Sequence, residues 1–380
     1  MIRKLLPEPV KRGLRLIKYG HERKRFFPEI EIKKKQDELI RKTYDPNTEN
    51  LIVFIIMGGD KLGKEKISGG TISIVSICEE SLKFKNIHHS EVMMCTMKDE
   101  SLLTKHLLFD NNVDVFRFEQ LYTYFKKVKR VIIHLPEFMV GDFIITIPPV
   151  FKSWLKKMEN VHINVLNQNI KLMPKKEVIL QLKTLANKVT STTAHQKYST
   201  ASQRDHYEIP IHKFSAWVAP EQYRFRTYGE KENLIIVSPD QHAYRGKVLN
   251  LLHSIKGLEV VVIQNMTYNQ FKEIISRAKW SLTFGEGLDG YIVEPIFSGA
   301  IGFAVYNEEF FTPDFAQLKT IYPSFDALIE KIEIDLQSLD NEESYASYQQ
   351  QQFDLCRHYY NYQQYKNNIA AFYREEYTFA

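Results

Sequence analysis

The sequence is poor in cysteine: three residues in 380, Cys78, Cys95 and Cys356, widely separated and never paired as CxxC. This excludes a disulfide framework and a cysteine-built zinc site, and it suits free thiols in a reducing compartment. No apolar run approaches the roughly 18 residues that a spanning helix needs. The N-terminus, MIRKLLPEPVKRG, lacks the hydrophobic stretch of a signal peptide, so a cytoplasmic protein is expected. There is no HExxH and no DxD after an apolar run, so neither a metal site nor a cofactor is expected. The net charge of +5 is a mild excess. No basic stripe interleaved with aromatics calls for a nucleic-acid partner.

What is present fills two cores. The chain is 44% hydrophobic and 26% charged, and 380 residues suit two domains better than one. Residues 1–45 form a basic arm in which Val10, Leu14 and Ile17 fall at i, i+4, i+7 beside Lys11, Arg12, Arg15 and Lys18. Such a stripe suits either an anionic membrane surface or plain packing on the body. From Leu51 the pattern changes to LIVFIIM, a continuous apolar run of strand length that ends at Gly58-Gly59. Gly58 to Lys64 has the GxxxxGK spacing of a phosphate-binding loop, but Glu65 stands where a Ser or Thr must hold magnesium. An ATPase is therefore not expected, and a helix over 71–80 follows Gly69-Gly70.

Strands are expected at 91–96, 130–135, 162–166 and 188–193, with helices around 116–128, 150–158 and 175–187. That alternation predicts a doubly wound α/β domain over 46–215. A second α/β unit, 216–354, starts with a strand at 233–237, followed by a helix face at Val248, Leu251, Leu252 and Ile255. A strand at 258–263 follows, then a Thr267/Gln270 capping box ahead of a helix. An apolar run, Trp280 to Phe284, comes next and ends at a glycine-bearing turn flanked by Glu286 and Glu294. A strand over 300–306 and a Tyr-rich helical tail complete the chain. The tail tyrosines, Tyr345, Tyr348, Tyr359, Tyr360 and Tyr362, are expected to pack rather than bind.

The segment Glu286-Gly287-Leu288-Asp289-Gly290-Tyr291-Ile292-Val293-Glu294, then Pro295-Ile296-Phe297-Ser298-Gly299, resembles the Glu, seven residues, Glu motif of retaining family 4 glycosyltransferases of the GT-B type. Those carry the pattern EGFGLPVLEAMACG. Glu286, Gly287, Glu294 and Gly299 match; Asp289 replaces the second glycine, and Pro295 follows the second Glu. Because proline is best tolerated in a first helical turn, Pro295 predicts a helix that begins later than in the family. Arg245 and Lys247 resemble the family's diphosphate-neutralising cations, although they stand closer together. Ile132-Ile133-His134-Leu135-Pro136-Glu137 is similar to the HxHEP-like strand end, with Pro136 in place of the second His. Gly69-Gly70 match the glycine loop that approaches the donor phosphates and the acceptor.

The resemblance covers most of residues 50 to 335 and implies two Rossmann-like doubly wound domains facing a central cleft. The C-terminal helix, 355–380, would return to the first domain. It implies Glu286 on the donor sugar, Glu294 on the ribose, and amides near Gly287, Leu288, Asp289, Gly290 and Tyr291 toward the phosphates. Arg245 and Lys247 would stabilise the leaving diphosphate, and His134 and Glu137 would line the cleft. The expected activity is metal-independent sugar transfer from a nucleotide-diphosphate sugar to a glycan or polyprenyl-linked acceptor in surface polysaccharide synthesis. The arm would then rest peripherally on the inner membrane face. A nucleotide-sugar 2-epimerase on the same fold, or a degenerate non-catalytic subunit of a polysaccharide assembly complex, are the alternatives.

Overall fold

The computed structural model describes residues 20–56, 69–97, 113–215, 218–264, 266–285 and 287–380. The basic stripe at Val10 to Ile17 and the GxxxxGK segment lie outside the described residues.

Strand β1, Asn50–Ile56, runs buried along almost its whole length. Its residues alternate between two apolar layers: Leu51, Val53 and Ile55 on one face, Ile52, Phe54 and Ile56 on the other. A strand apolar on both faces needs cover on both, which is why it sits mid-sheet. It pairs in parallel with β2, Glu91–Thr96, and β4, Arg130–Pro136. With β3, Val115–Phe116, β5, Asn160–Asn167, β6, Lys188–Thr193, and β7, Ile211–Lys213, the sheet runs β3-β2-β1-β4-β5-β6-β7, all parallel.

The second sheet repeats the scheme. It contains β8, Glu232–Val237, β9, Glu259–Val262, β10, Ala278–Leu282, β11, Ile301–Val305, and β12, Ile321–Tyr322, in the order β12-β11-β10-β8-β9. Alternate residues of β8 again divide, Leu234 and Ile236 to one layer, Ile235 and Val237 to the other. In each sheet the winding reverses beside the first strand, between β1 and β4 and between β8 and β10. In doubly wound sheets the crevice outside the carboxyl ends at such a reversal is where ligands bind.

Three local expectations are corrected. The strand expected at Trp280 to Phe284 is Ala278–Leu282: the Thr283 amide still reaches the Phe303 carbonyl, but the Phe284 and Gly285 amides turn to the hydroxyls of Ser238 and Thr283. The helix expected over 116–128 is Phe118–Tyr124, preceded by a short edge strand. The helix after the glycine turn does not start late: it spans Gly290–Phe297, with Pro295 inside it. Asp289 starts it early by capping the Tyr291 amide at 2.9 Å. Pro295 forfeits a single helical bond, the one an N–H at that position would donate to the Tyr291 carbonyl.

The C-terminal segment touches both sheets. Helix Glu342–Tyr359 lies on helix Gly290–Phe297 and β11. There Gln352 donates to the Gly302 carbonyl at 2.9 Å, and Tyr345 to those of Lys279 and Gly299. Helix Tyr362–Tyr373 packs instead on helix Gly69–Ser81 and β7. Beyond it, Phe379 pairs with Ile211. At the other end, helix Gly20–Thr43 is held by Arg117, which donates to the Lys33 carbonyl, Gln36 and Asp37.

Candidate functional site

Two clusters meet at the carboxyl end of the second sheet. The first surrounds Gly285. Arg245 is the first residue of helix Arg245–Ser254. Its Nη1 donates to the Ser238 carbonyl at 2.7 Å and the Asp240 carbonyl at 2.9 Å, and its guanidinium lies over Phe284. This clamps the end of β8 to the end of β10. A Cβ on Gly285 would fall 2.7 Å from Asp289 Oδ2 and 3.0 Å from Asp240 Oδ2, so two carboxylates converge over a bare glycine. Asp240 Oδ2 is buried without a hydrogen-bond partner among the described residues. Lys247 is exposed near the Tyr244 ring.

The second cluster surrounds Glu294, which is 4% exposed within helix Gly290–Phe297. Its Oε2 accepts the Tyr268 hydroxyl at 3.0 Å, and the Tyr268 and Tyr223 hydroxyls lie 3.1 Å apart. Burial raises the Glu294 carboxyl to about 8, opposed by hydrogen bonds from Tyr268 and Tyr223. Its Oε1 points at Gly290, 2.6 Å from where a Cβ would stand. Only a glycine there leaves that oxygen room.

The turn between the clusters is equally constrained. Gly287 has φ +101°, and a Cβ on it would lie 2.1 Å from the Phe311 ring. Leu288 is buried, its carbonyl accepting the Tyr360 hydroxyl at 3.3 Å. Asp289 accepts from Tyr291 N and, through Oδ2, from Thr283 at 3.0 Å. The Tyr291 amide expected to face phosphate is thus taken by a carboxylate. The Leu288 and Gly290 amides have no acceptor among the described residues. Glu286 lies outside the described residues.

Across the cleft the first domain is different. Gly69 and Gly70 open helix Gly69–Ser81, and Gln168 donates to the Gly70 carbonyl at 3.1 Å. Glu137 is buried as a strut, its Oε1 accepting the Asn169 amide at 3.0 Å to tie the end of β4 to that of β5. His134 has no exposed surface. It stacks on Phe54 at 4.3 Å, touches Phe372 and Tyr373, and shares a hydrogen bond with Asn164 at 3.1 Å. Burial holds its imidazole well below its ordinary range. The expectation that His134 lines the cleft is corrected to a packing role in this structure, because the C-terminal helix covers it.

Sequence reasoning missed Tyr223, Tyr268 and Asp240. Tyr268 had a usable signal, since it is the first residue after the capping Thr267 and follows the end of β9. Tyr223 had none, because it lies in the irregular crossover. A shallow groove between the domains is lined by His195, Lys197 and Lys213 on one side and Leu288, Phe310 and Thr312 on the other. Lys171 and Glu309 pair across it at 2.6 Å. Among the described residues no three His, Cys, Asp or Glu side chains gather as metal ligands.

No family model and no curated protein matches the sequence. Solved structures do match its shape. An alpha-glucosyltransferase solved with UDP and a 13-mer DNA superposes with TM-score 0.56 at 10% identity, over 85% of this chain and 100% of that one. Sucrose-phosphate synthase from Thermosynechococcus elongatus gives 0.54 at 10% identity, over 86% and 99%. A putative UDP-N-acetylglucosamine 2-epimerase from Listeria monocytogenes gives 0.52 at 12%, over 86% and 96%. The fold is GT-B. At these identities the likeness concerns the fold alone, and the DNA belongs to that neighbour.

Proposed function

We propose that this chain is a GT-B glycosyltransferase that moves a sugar from a nucleoside-diphosphate sugar to a glycan or lipid-linked saccharide acceptor, with retention of configuration. One observation carries the proposal: the Glu294 carboxylate, held from behind by tyrosine hydroxyls, aims Oε1 over Gly290 at the carboxyl end of the second sheet. A carboxylate so placed accepts both hydroxyls of a ribose. The Leu288 and Gly290 amides, with the exposed Lys247 and the clamped Arg245, then stand where a diphosphate leaving group needs charge stabilisation. The acceptor would enter from the first-domain side of the groove.

Two observations keep other readings in view. A 2-epimerase shares the fold at similar TM-score, and Asp289 occupies the helix N-terminus with negative charge. The test is a panel of nucleoside diphosphates screened for thermal stabilisation, since a ligand that binds only the folded state raises apparent stability. A rise with one diphosphate, followed by donor consumption only when acceptor is added, is the expected result. Donor conversion without acceptor would mark an epimerase. No stabilisation by any diphosphate would sink the enzyme reading and leave a non-catalytic subunit.

A further inference from the structure

Among the described residues six large apolar side chains are exposed, and four of them belong to the first domain. Ile145 is 80% exposed, Val150 53%, Leu172 51% and Phe138 42%. Two short apolar helical segments, Glu137–Thr146 and Pro149–Leu155, meet at 106° about Pro148 and Pro149. Ile145 and Val150 flank that elbow. Phe138 follows Glu137, whose carboxylate binds the Asn169 amide three residues before Leu172. Helix Val140–Thr146 also packs against helix Lys176–Gln181.

Lysines outnumber acids in the sequence around the elbow. Between residues 138 and 176 stand six lysines, Lys152, Lys156, Lys157, Lys171, Lys175 and Lys176, against two acids, Asp142 and Glu159. Lys171 pairs with Glu309 and Lys176 with Glu208. The other four have no acidic partner among the described residues. Among those residues, no single helix is long and apolar enough to cross a membrane. An apolar tip rimmed by unpaired lysines fits the interface of a bilayer, where apolar side chains enter the acyl boundary and lysines reach back to anionic headgroups.

We propose that this elbow docks the protein on an anionic phospholipid surface, with Ile145 and Val150 inserted and Phe138 and Leu172 at the margin. The proposal does not depend on the nucleotide site, and it rests on residues other than those of the basic arm.

The test is flotation of the full chain with vesicles of phosphatidylcholine alone or mixed equally with phosphatidylglycerol. The unmodified protein should float with the anionic vesicles. The double variant Ile145→Ser/Val150→Ser should partition about tenfold less, because both apolar side chains then lose their burial. Lys152→Gln/Lys156→Gln/Lys157→Gln should weaken binding to the anionic vesicles. Ile334→Ser, a comparably exposed apolar site on the second domain, should change nothing. Equal flotation of the serine pair and the unmodified chain would overturn the proposal, as would no flotation of the unmodified chain. An oligomer dispersed by the serine pair, with no vesicle binding, would make the elbow a contact between copies and equally overturn it. Thermal stabilisation by nucleoside diphosphates, read on the same samples, should be unaffected and so separates this outcome from failure of the donor site.

Discussion

The carboxyl ends of the two sheets bury opposite kinds of titratable group. The second buries an acid, Glu294, among tyrosine hydroxyls; the first buries an imidazole, His134, among Phe54, Phe214 and Phe372, with a second, His162, two residues nearer the amino end in register. Desolvation disfavours the charged form in both cases but moves the two groups in opposite directions. Glu294 rises from 4.5 to about 8, and His162 falls from 6.5 to about 3. A raised acid contributes stability that is present at low pH and lost as pH climbs through the folded value. A depressed imidazole contributes stability present above its unfolded value and lost as pH falls. One end is therefore strained by base and the other by acid. The neighbours differ accordingly: hydroxyls and a glycine border the Glu294 carboxyl, whereas aromatic rings enclose the His134 imidazole.

The comparison breaks most severely at Gly287. Gly287→Ala forces a side chain into a positive-φ turn and against Phe311. It should cost about 3 kcal/mol or more, read by thermal or urea unfolding. Phe311→Ala in the same chain should recover part of the loss, and no recovery would show that the turn is not set by that ring. Next comes Glu294→Gln. It should weaken nucleoside-diphosphate affinity about tenfold to a hundredfold, as for a lost hydrogen bond to a charged group. It should also flatten the decline in melting temperature between about pH 5 and pH 8. Unchanged affinity in calorimetry would remove Glu294 from the site.

His134→Leu probes the other end. Asn164 keeps its bond to Thr192 at 2.9 Å, so the cost should be about 1 kcal/mol at neutral pH. Acid stability should improve, because a group that must protonate on unfolding is gone. Diphosphate affinity should not move; a large drop would restore His134 to the cleft. The smallest effect is expected of Asp289→Asn, which keeps the cap on Tyr291 while removing one negative charge. Diphosphate affinity should rise by a factor of a few, with stability changed by about 0.5 kcal/mol or less. A fall in affinity would mean that Asp289 itself meets the ligand.

Much of this architecture is legible in the chain's local patterns. LIVFIIM places β1, and β2 and β6 fall at the residues their apolar and β-branched runs indicate. The Thr267/Gln270 box forms as its spacing demands. Glu294 and the glycine turn are marked by their position after a strand. What misleads is local logic applied to Pro295, since proline's preference for a first turn loses to the stronger cap at Asp289 one turn earlier. His134 misleads for a different reason. Its cover comes from Phe372 and Tyr373, the latter 239 residues away in sequence. Nothing in the run Ile132 to Glu137 records that contact.

The sequence by itself determined that two parallel sheets form and that Glu294, Asp289, Arg245 and His134 stand at or near their carboxyl ends. Apolar periodicity and turn residues act over a few positions, and strand direction then follows from the helices between strands. The tertiary structure alone decided which of those ends keeps a buried carboxyl among hydroxyls and which keeps an imidazole among stacked rings. Tyr223 and Tyr268 reach Glu294 from separate segments, and helix Tyr362–Tyr373 closes over His134 from the far end of the chain. The desolvation of a polar side chain depends on whatever distant surface packs over it, and that surface is chosen only when the chain folds.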